Sequence, residues 1–217
     1  MSLLGVLGLA AITTPALARA PSAPLDAASP LTLDVLMTRF RAMPGLLAHF
    51  QEVKRITLLA EPLVSEGTVH YAPPSRFARH TRTPSPASVV LDGNTLRFGD
   101  ATTSQTYDVR TSPVLRSFVD AFLALLAGDR TALEGAFRID FRATGRGDGW
   151  DLTLLPRSSG LAEMLREIRF SGDGLALSQM RIRETSGDEG ITTFSDVDTA
   201  HTYTPAEALR TFRLPAK

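Results

Sequence analysis

The chain contains no cysteine. This removes disulfide staples, thiol nucleophiles and thiolate metal sites, and with them the lipid-modified N-terminal cysteine that anchors bacterial lipoproteins. Neither sign of charge is in excess, because 23 Lys and Arg balance 23 Asp and Glu. No global field favours nucleic acid or strongly acidic partners, and nucleic-acid binding is not expected. The four histidines, His49, His70, His80 and His201, form no H-E-x-x-H and no i, i+4 pair, so no metal site is expected. There is no G-x-S-x-G frame for a nucleophile elbow; Ser65 and Ser171 lie in VSEGT and FSGDG. The carboxylates Asp188-Glu189 and Asp196/Asp198 stand in turn or strand-end contexts and read as solvated. The glycine-rich run 145–149 opens no helix and reads as a hairpin turn rather than a phosphate cradle. The expectation is a protein that is not an enzyme and holds no cofactor.

Long apolar runs are also missing. The one near the start, residues 3–12, is too short to span a bilayer and is followed by Ala18-Arg19-Ala20, an A-x-A-like cleavage site. Residues 1–20 therefore read as an export signal cut after Ala20, although no Lys or Arg precedes the apolar run. Residues 21–30 (PSAPLDAASP) have the composition of a flexible leader. Residues 31–217 remain as a single domain, expected to be soluble, exported to the periplasm and monomeric.

What is present is β grammar interrupted twice. Leu33, Leu36, Met37 and Phe40 recur at helical spacing behind Thr32 as N-cap, with Pro44-Gly45 as the stop. Residues 46–59 (LLAHFQEVKRITLL) fit either a short helix turning into a strand or a strand throughout. Period two then takes over in residues 64–72, less cleanly in 76–82, and again around Asp92-Gly93, a strong hairpin signal between residues 88–91 and Leu96, Phe98. Residues 107–110 read as a further strand. Residues 113–128 break the pattern with Val114, Leu115, Phe118, Val119, Phe122, Leu125 and Leu126, an apolar helical stripe with Pro at its start and Gly past its end. Alternating segments separated by glycine-rich turns follow, a meander to residue 197.

These segments predict a mainly β (α+β) fold: a curled antiparallel sheet of roughly nine to eleven strands, an incomplete, half-open barrel with helices as a lid. Two helices cover less area than such a sheet presents, so an apolar cavity beneath them is expected, with complete filling by side chains as the other reading. Its candidate wall is Phe40, Phe50, Val69, Tyr71, Val89, Leu91, Leu96, Phe98, Phe118, Phe122, Leu125, Trp150, Leu152, Leu154, Met180 and Ile182. Helix 113–128 is the expected mobile lid.

Ala48-His49-Phe50-Gln51, then Ser65-Glu66-Gly67-Thr68 through Pro74 and Phe77, then Val89-Val90-Leu91-Asp92-Gly93-Asn94-Thr95-Leu96 stand in the order and spacing of a known family. Leu152-Thr153-Leu154-Leu155-Pro156-Arg157, the Ile168/Phe170 strand, a Gly-Asp-Gly turn and residues 192–197 continue the series. Over most of residues 31–214 the chain resembles the LolA-type outer-membrane lipoprotein carriers. The resemblance implies a hydrophobic cavity that carries acylated lipoproteins or related lipids across the periplasm, between inner-membrane export machinery and an outer-membrane acceptor. It also places Phe77 where the family has an exposed Phe that meets the release machinery; from its strand pattern alone, a core Phe is the alternative. Pro73 stands where the type carriers have an Arg that latches the lid, leaving Arg76 and Arg79 as the candidate latch or partner contacts. The chain stops at Lys217, short of the family's longer tail, which implies a different cargo or acceptor. A lipid-sensing interaction module with the same fold is the alternative to a carrier.

Overall fold

The computed structural model describes residues 31–214 except 101, 112 and 146, together with all side chains in that range but those of residues 113–115, 117, 118, 120 and 121. The expected signal and leader, residues 1–30, lie outside the described residues, as does the side chain of Phe118.

Helix α1, Leu33–Arg41, opens where the Thr32 side chain accepts a hydrogen bond from the Val35 N–H. Its apolar stripe, Leu36, Met37 and Phe40, is buried. Six strands follow as an antiparallel meander: β1 Leu46–Arg55, β2 Leu63–Ala72, β3 Arg76–Thr83, β4 Ala87–Asp92, β5 Thr95–Asp100 and β6 Ser104–Asp108. A 3₁₀ turn at Val109–Thr111 leads into α2, Pro113–Leu126, and α3, Arg130–Ala136. A second meander then runs through β7 Phe137–Ala143, β8 Gly149–Pro156, the short α4 Ser159–Ala162, β9 Leu165–Asp173, β10 Ala176–Glu184 and β11 Glu189–Asp198, and α5, Pro205–Thr211, follows.

Residues 46–59 do not begin as a helix: strand pairing starts at Leu46, which faces Tyr71 across the ladder to β2. Leu46, Ala48 and Phe50 are buried on one face, and partners on both sides satisfy the backbone.

The topology explains where the helices must go. The strands first and last along the chain, β1 and β11, pair antiparallel at the centre and join the two meanders into one eleven-stranded sheet, which leaves β6 and β7 at its opposite edges. The chain leaving β6 therefore has to cross the full width of the sheet to start β7, and α2 and α3 are that crossing. The sheet is open at those edges, an incomplete barrel curled around its helices.

The concave side is not covered evenly. In the β7–β10 half, Phe40 of α1, Leu125 and Leu126 at the end of α2, and Leu133 of α3 pack with Trp150, Leu152, Leu154, Ile168 and Phe170 in one buried core. The Trp150 indole N–H donates to the Gly174 carbonyl at 2.9 Å, and its ring meets Phe40 edge-on at 6.1 Å.

Alternation falters in β3 because both of its faces are covered. Phe77 and Arg79 face inward, while Ala78 lies under the C-terminal segment with Val90 and Phe212. Three histidines stitch this outer layer down. His80 bridges Ser88 Oγ and the Thr211 carbonyl, at 2.8 and 2.9 Å, and His201 bonds Glu207 at 3.0 Å. His70 sits between Thr68 Oγ1 and the Tyr203 hydroxyl, both at 3.1 Å, and Tyr203 donates to the Leu46 carbonyl.

Burial first, and the neighbouring His80 and His201 next, push the His70 pKa down from 6.5 to about 4. An unfolded chain takes up this proton near 6.5 while the folded chain refuses it until about 4, so the unfolded state binds more protons in that window. Stability is therefore full above the window and falls as pH drops through it, by about 2 kcal/mol once the solvent-screened part of the ring is discounted. Urea melts across that range should show the loss, and His70→Gln should flatten it; an unchanged slope in H70Q would remove His70 as its source.

Candidate functional site

Over the β1–β5 half of the concave face lie α2 and, against Leu91 and Leu96, Val109 of the 3₁₀ turn. Ladder register sets the facing residues there: Phe50 opposite Phe194 and Gly67, Val69 opposite Arg79, Arg79 opposite Val89, and Val89 opposite Phe98. One row along, Tyr71, Phe77, Leu91 and Leu96 are successive partners on the same face. From α2, Val119, Phe122 and Leu123 close over these rows. Between helix and sheet lies a cavity of about 340 Å³. The Phe77 ring meets Phe122 edge-on at 4.9 Å, and the Phe170 ring lies 6.2 Å from Phe122.

Of the expected wall residues, Phe50, Val69, Val89, Leu91, Leu96, Phe98, Phe122, Met180 and Ile182 line this cavity. Phe40, Tyr71, Leu125, Trp150, Leu152 and Leu154 do not: they are buried in the packed core, each with at most 1 % of its surface exposed. The sequence pattern marks an inward face but not which stretch of that face a helix fills. Phe77 is half-buried in the cavity wall rather than displayed on the surface, because its partners in the ladder, Tyr71 and Leu91, are both on the inner face. Arg76 pairs with Asp92 at 3.4 Å on the exterior. Arg79 turns into the cavity, where its Nη2 donates to Glu52 at 2.6 Å and to Ser65 Oγ at 3.1 Å, and its guanidinium lies 4.1 Å over the Phe50 ring.

Glu52, Val119, Leu123, Thr192 and Phe194 also line the cavity and were not anticipated. Val119 and Leu123 were within reach, since Val119 stands at i−3 from Phe122 and Leu123 at i+4 from Val119 on a helical stripe. Glu52 and Thr192 carry no apolar signal, and only the β1–β11 register, which pairs them, brings them inside. Among the described residues no cluster of His, Asp or Glu is placed to hold a metal ion, and no helix is long and apolar enough to cross a membrane.

A family model described as outer membrane lipoprotein carrier protein LolA-like matches residues 26–213. Among solved structures, a LolA superfamily protein from Nitrosomonas europaea is similar at 9% identity and a TM-score of 0.43, covering 85% of this chain and 98% of that one. An outer membrane lipoprotein-sorting protein domain from Vibrio parahaemolyticus is similar at 9% identity and a TM-score of 0.44, over 79% of this chain and 92% of that one. A chain of the MucA/MucB complex of Pseudomonas aeruginosa is similar at 14% identity and a TM-score of 0.46, over 79% of this chain and 56% of that one. No curated protein matches the chain.

Proposed function

The chain belongs to the LolA-like outer membrane lipoprotein carrier family, and from that premise we propose that it is a periplasmic carrier that shelters an acyl chain of a lipoprotein or related lipid and moves it toward the outer membrane. The observation that carries this reading is the apolar cavity of about 340 Å³ between the sheet and α2. It stands near the lower end of the range of about 300–1,000 Å³ that encloses small ligands. If a methylene takes the ~30 Å³ share of a water molecule in the liquid, the space suits about a dozen methylenes, a single acyl chain.

Burial gains about 0.8 kcal/mol for each methylene, so full enclosure of such a chain holds it by about 9 kcal/mol before costs. A carrier has to give that back at its destination. The construction of α2 supplies the means: Leu125 and Leu126 fix its last turn in the core, whereas Val119 and Phe122 above the cavity are only half-buried. Lifting the first turns of α2 about that fixed end opens the site without unfolding the sheet.

Transfer between vesicles tests the reading. The full chain, mixed with donor vesicles holding a self-quenched fluorescent acyl lipid and with unlabelled acceptors, should speed dequenching about tenfold or more over spontaneous exchange. Tight binding with no acceleration would mean a sensing module rather than a carrier, and no binding would overturn both.

A further inference from the structure

The cavity is apolar except at one end, where it holds an ion pair. Glu52 and Arg79 are only 18% and 24% exposed at their side chains. Removing two charges from water carries a desolvation penalty that their attraction seldom fully repays, so apolar residues would stabilise this wall at least as well. The pair is also incompletely used. Both hydrogen bonds of the Arg79 side chain leave from Nη2, and Glu52 engages only through Oε2. Among the described residues Arg79 Nε and Nη1 and Glu52 Oε1 take no bond, and they stay open to solvent or a ligand.

Position gives this surplus a direction. Glu52 pairs across the sheet with Ser65 and Thr192, one row beyond Phe50. Past it the strands become exposed at Val64 and Leu63, whereas Leu91 and Leu96, one row along from Arg79 in the other direction, are 2% and 4% exposed. Polar groups at the open end and an apolar floor fit an amphiphile with its tail inward.

We propose that Glu52 and Arg79 anchor the head of a single-chain amphiphile and select its chemistry. The inference rests on the acyl-carrier reading above. Because the pair is already neutral, its free guanidinium donors and free carboxylate oxygen complement a neutral head that joins a carbonyl acceptor to an N–H or O–H donor. Acyl amides and monoacylglycerols have such heads. A free fatty acid brings a second carboxylate against Glu52 and offers no donor in return.

The test is calorimetric binding of monolauroylglycerol, N-lauroylethanolamine and laurate to the full chain. The two neutral ligands should bind about tenfold more tightly than laurate. Arg79→Met combined with Glu52→Gln leaves no unpaired charge and should hold all three about equally. Glu52→Gln alone leaves the cation unbalanced and should reverse the order in favour of laurate. A preference for laurate in the wild type, or a neutral-head preference that survives in both variants, would overturn the anchor while leaving the cavity reading intact. Failure of the wild type to bind any of the three would instead overturn the cavity reading itself. Should the double variant fail to fold, the reversal in E52Q alone decides.

Discussion

Phe122→Glu is expected to abolish acyl-chain binding, lowering affinity at least about a hundredfold, while the protein stays folded. Phe122 lines the cavity from α2, in ring contact with Phe77 and Phe170, and is only half-buried. A carboxylate there is hydrated in the empty protein, but a bound chain would strip its water with no partner in return, a penalty of several kcal/mol. Leu125, one turn along the same apolar stripe, makes the contrast. It is fully buried in the packed core, so Leu125→Glu should unfold the protein rather than empty it. The check is lipid extraction and mass measurement of protein purified from its host, alongside circular dichroism. Lipid content unchanged in F122E would remove the cavity as the binding site, and a folded, lipid-free L125E would mean that the core and the cavity wall have been confused.

That contrast also marks how far the sequence could be read. Period-two alternation and the glycine turns were enough for a long antiparallel meander, and the apolar stripe of residues 113–126 was enough for a covering helix. The division of the inner face into packed core and open cavity was not accessible, because Leu91 and Leu152 read alike on their strands. What separates them is the path of α2 and α3, which crowd one half of the sheet, and that path follows from the β1–β11 pairing across most of the chain. The uneven alternation of β3 had a cause at equal distance: α5 covers its outer face. A local signal for α5 was present in Thr204-Pro205-Ala206-Glu207, where Thr204 caps the Glu207 N–H and Pro occupies the first turn. Asp129, which caps α3 through the Ala132 N–H, is a similar unread start signal. The Glu52–Arg79 pair had no signal at all, since charged residues on a strand ordinarily face water.

Gly67→Ala is expected to destabilise the fold by about 3 kcal/mol, a drop of about 6–12 °C in Tm for a domain of this size. Gly67 follows a bulge at which the β2–β3 register shifts, and a methyl group built there would lie 1.9 Å from the His80 carbonyl oxygen and 2.9 Å from the Phe50 ring. Backbone stands on one side and the cavity wall on the other, so relief requires moving a strand. Gly93 is the control. It occupies a turn with φ of 59° and open space around it, so Gly93→Ala carries only the strain of that conformation, about 1 kcal/mol. Thermal melts of the two variants should differ accordingly. Equal small shifts would show that β2 and β3 have slack at the bulge, and that the glycine of the Ser-Glu-Gly-Thr motif is not required by close packing.

The central claim is that an acyl chain lies between the sheet and α2. Photocrosslinking with a fatty acyl amide carrying a diazirine at the end of its tail, followed by peptide mapping, tests it most directly. Adducts should fall on the segments that hold Leu91, Leu96, Phe122 and Leu123, and competition with unlabelled ligand should remove them. Adducts confined to the exposed apolar tip between β1 and β2, where Leu58 is 93% exposed, would contradict the account.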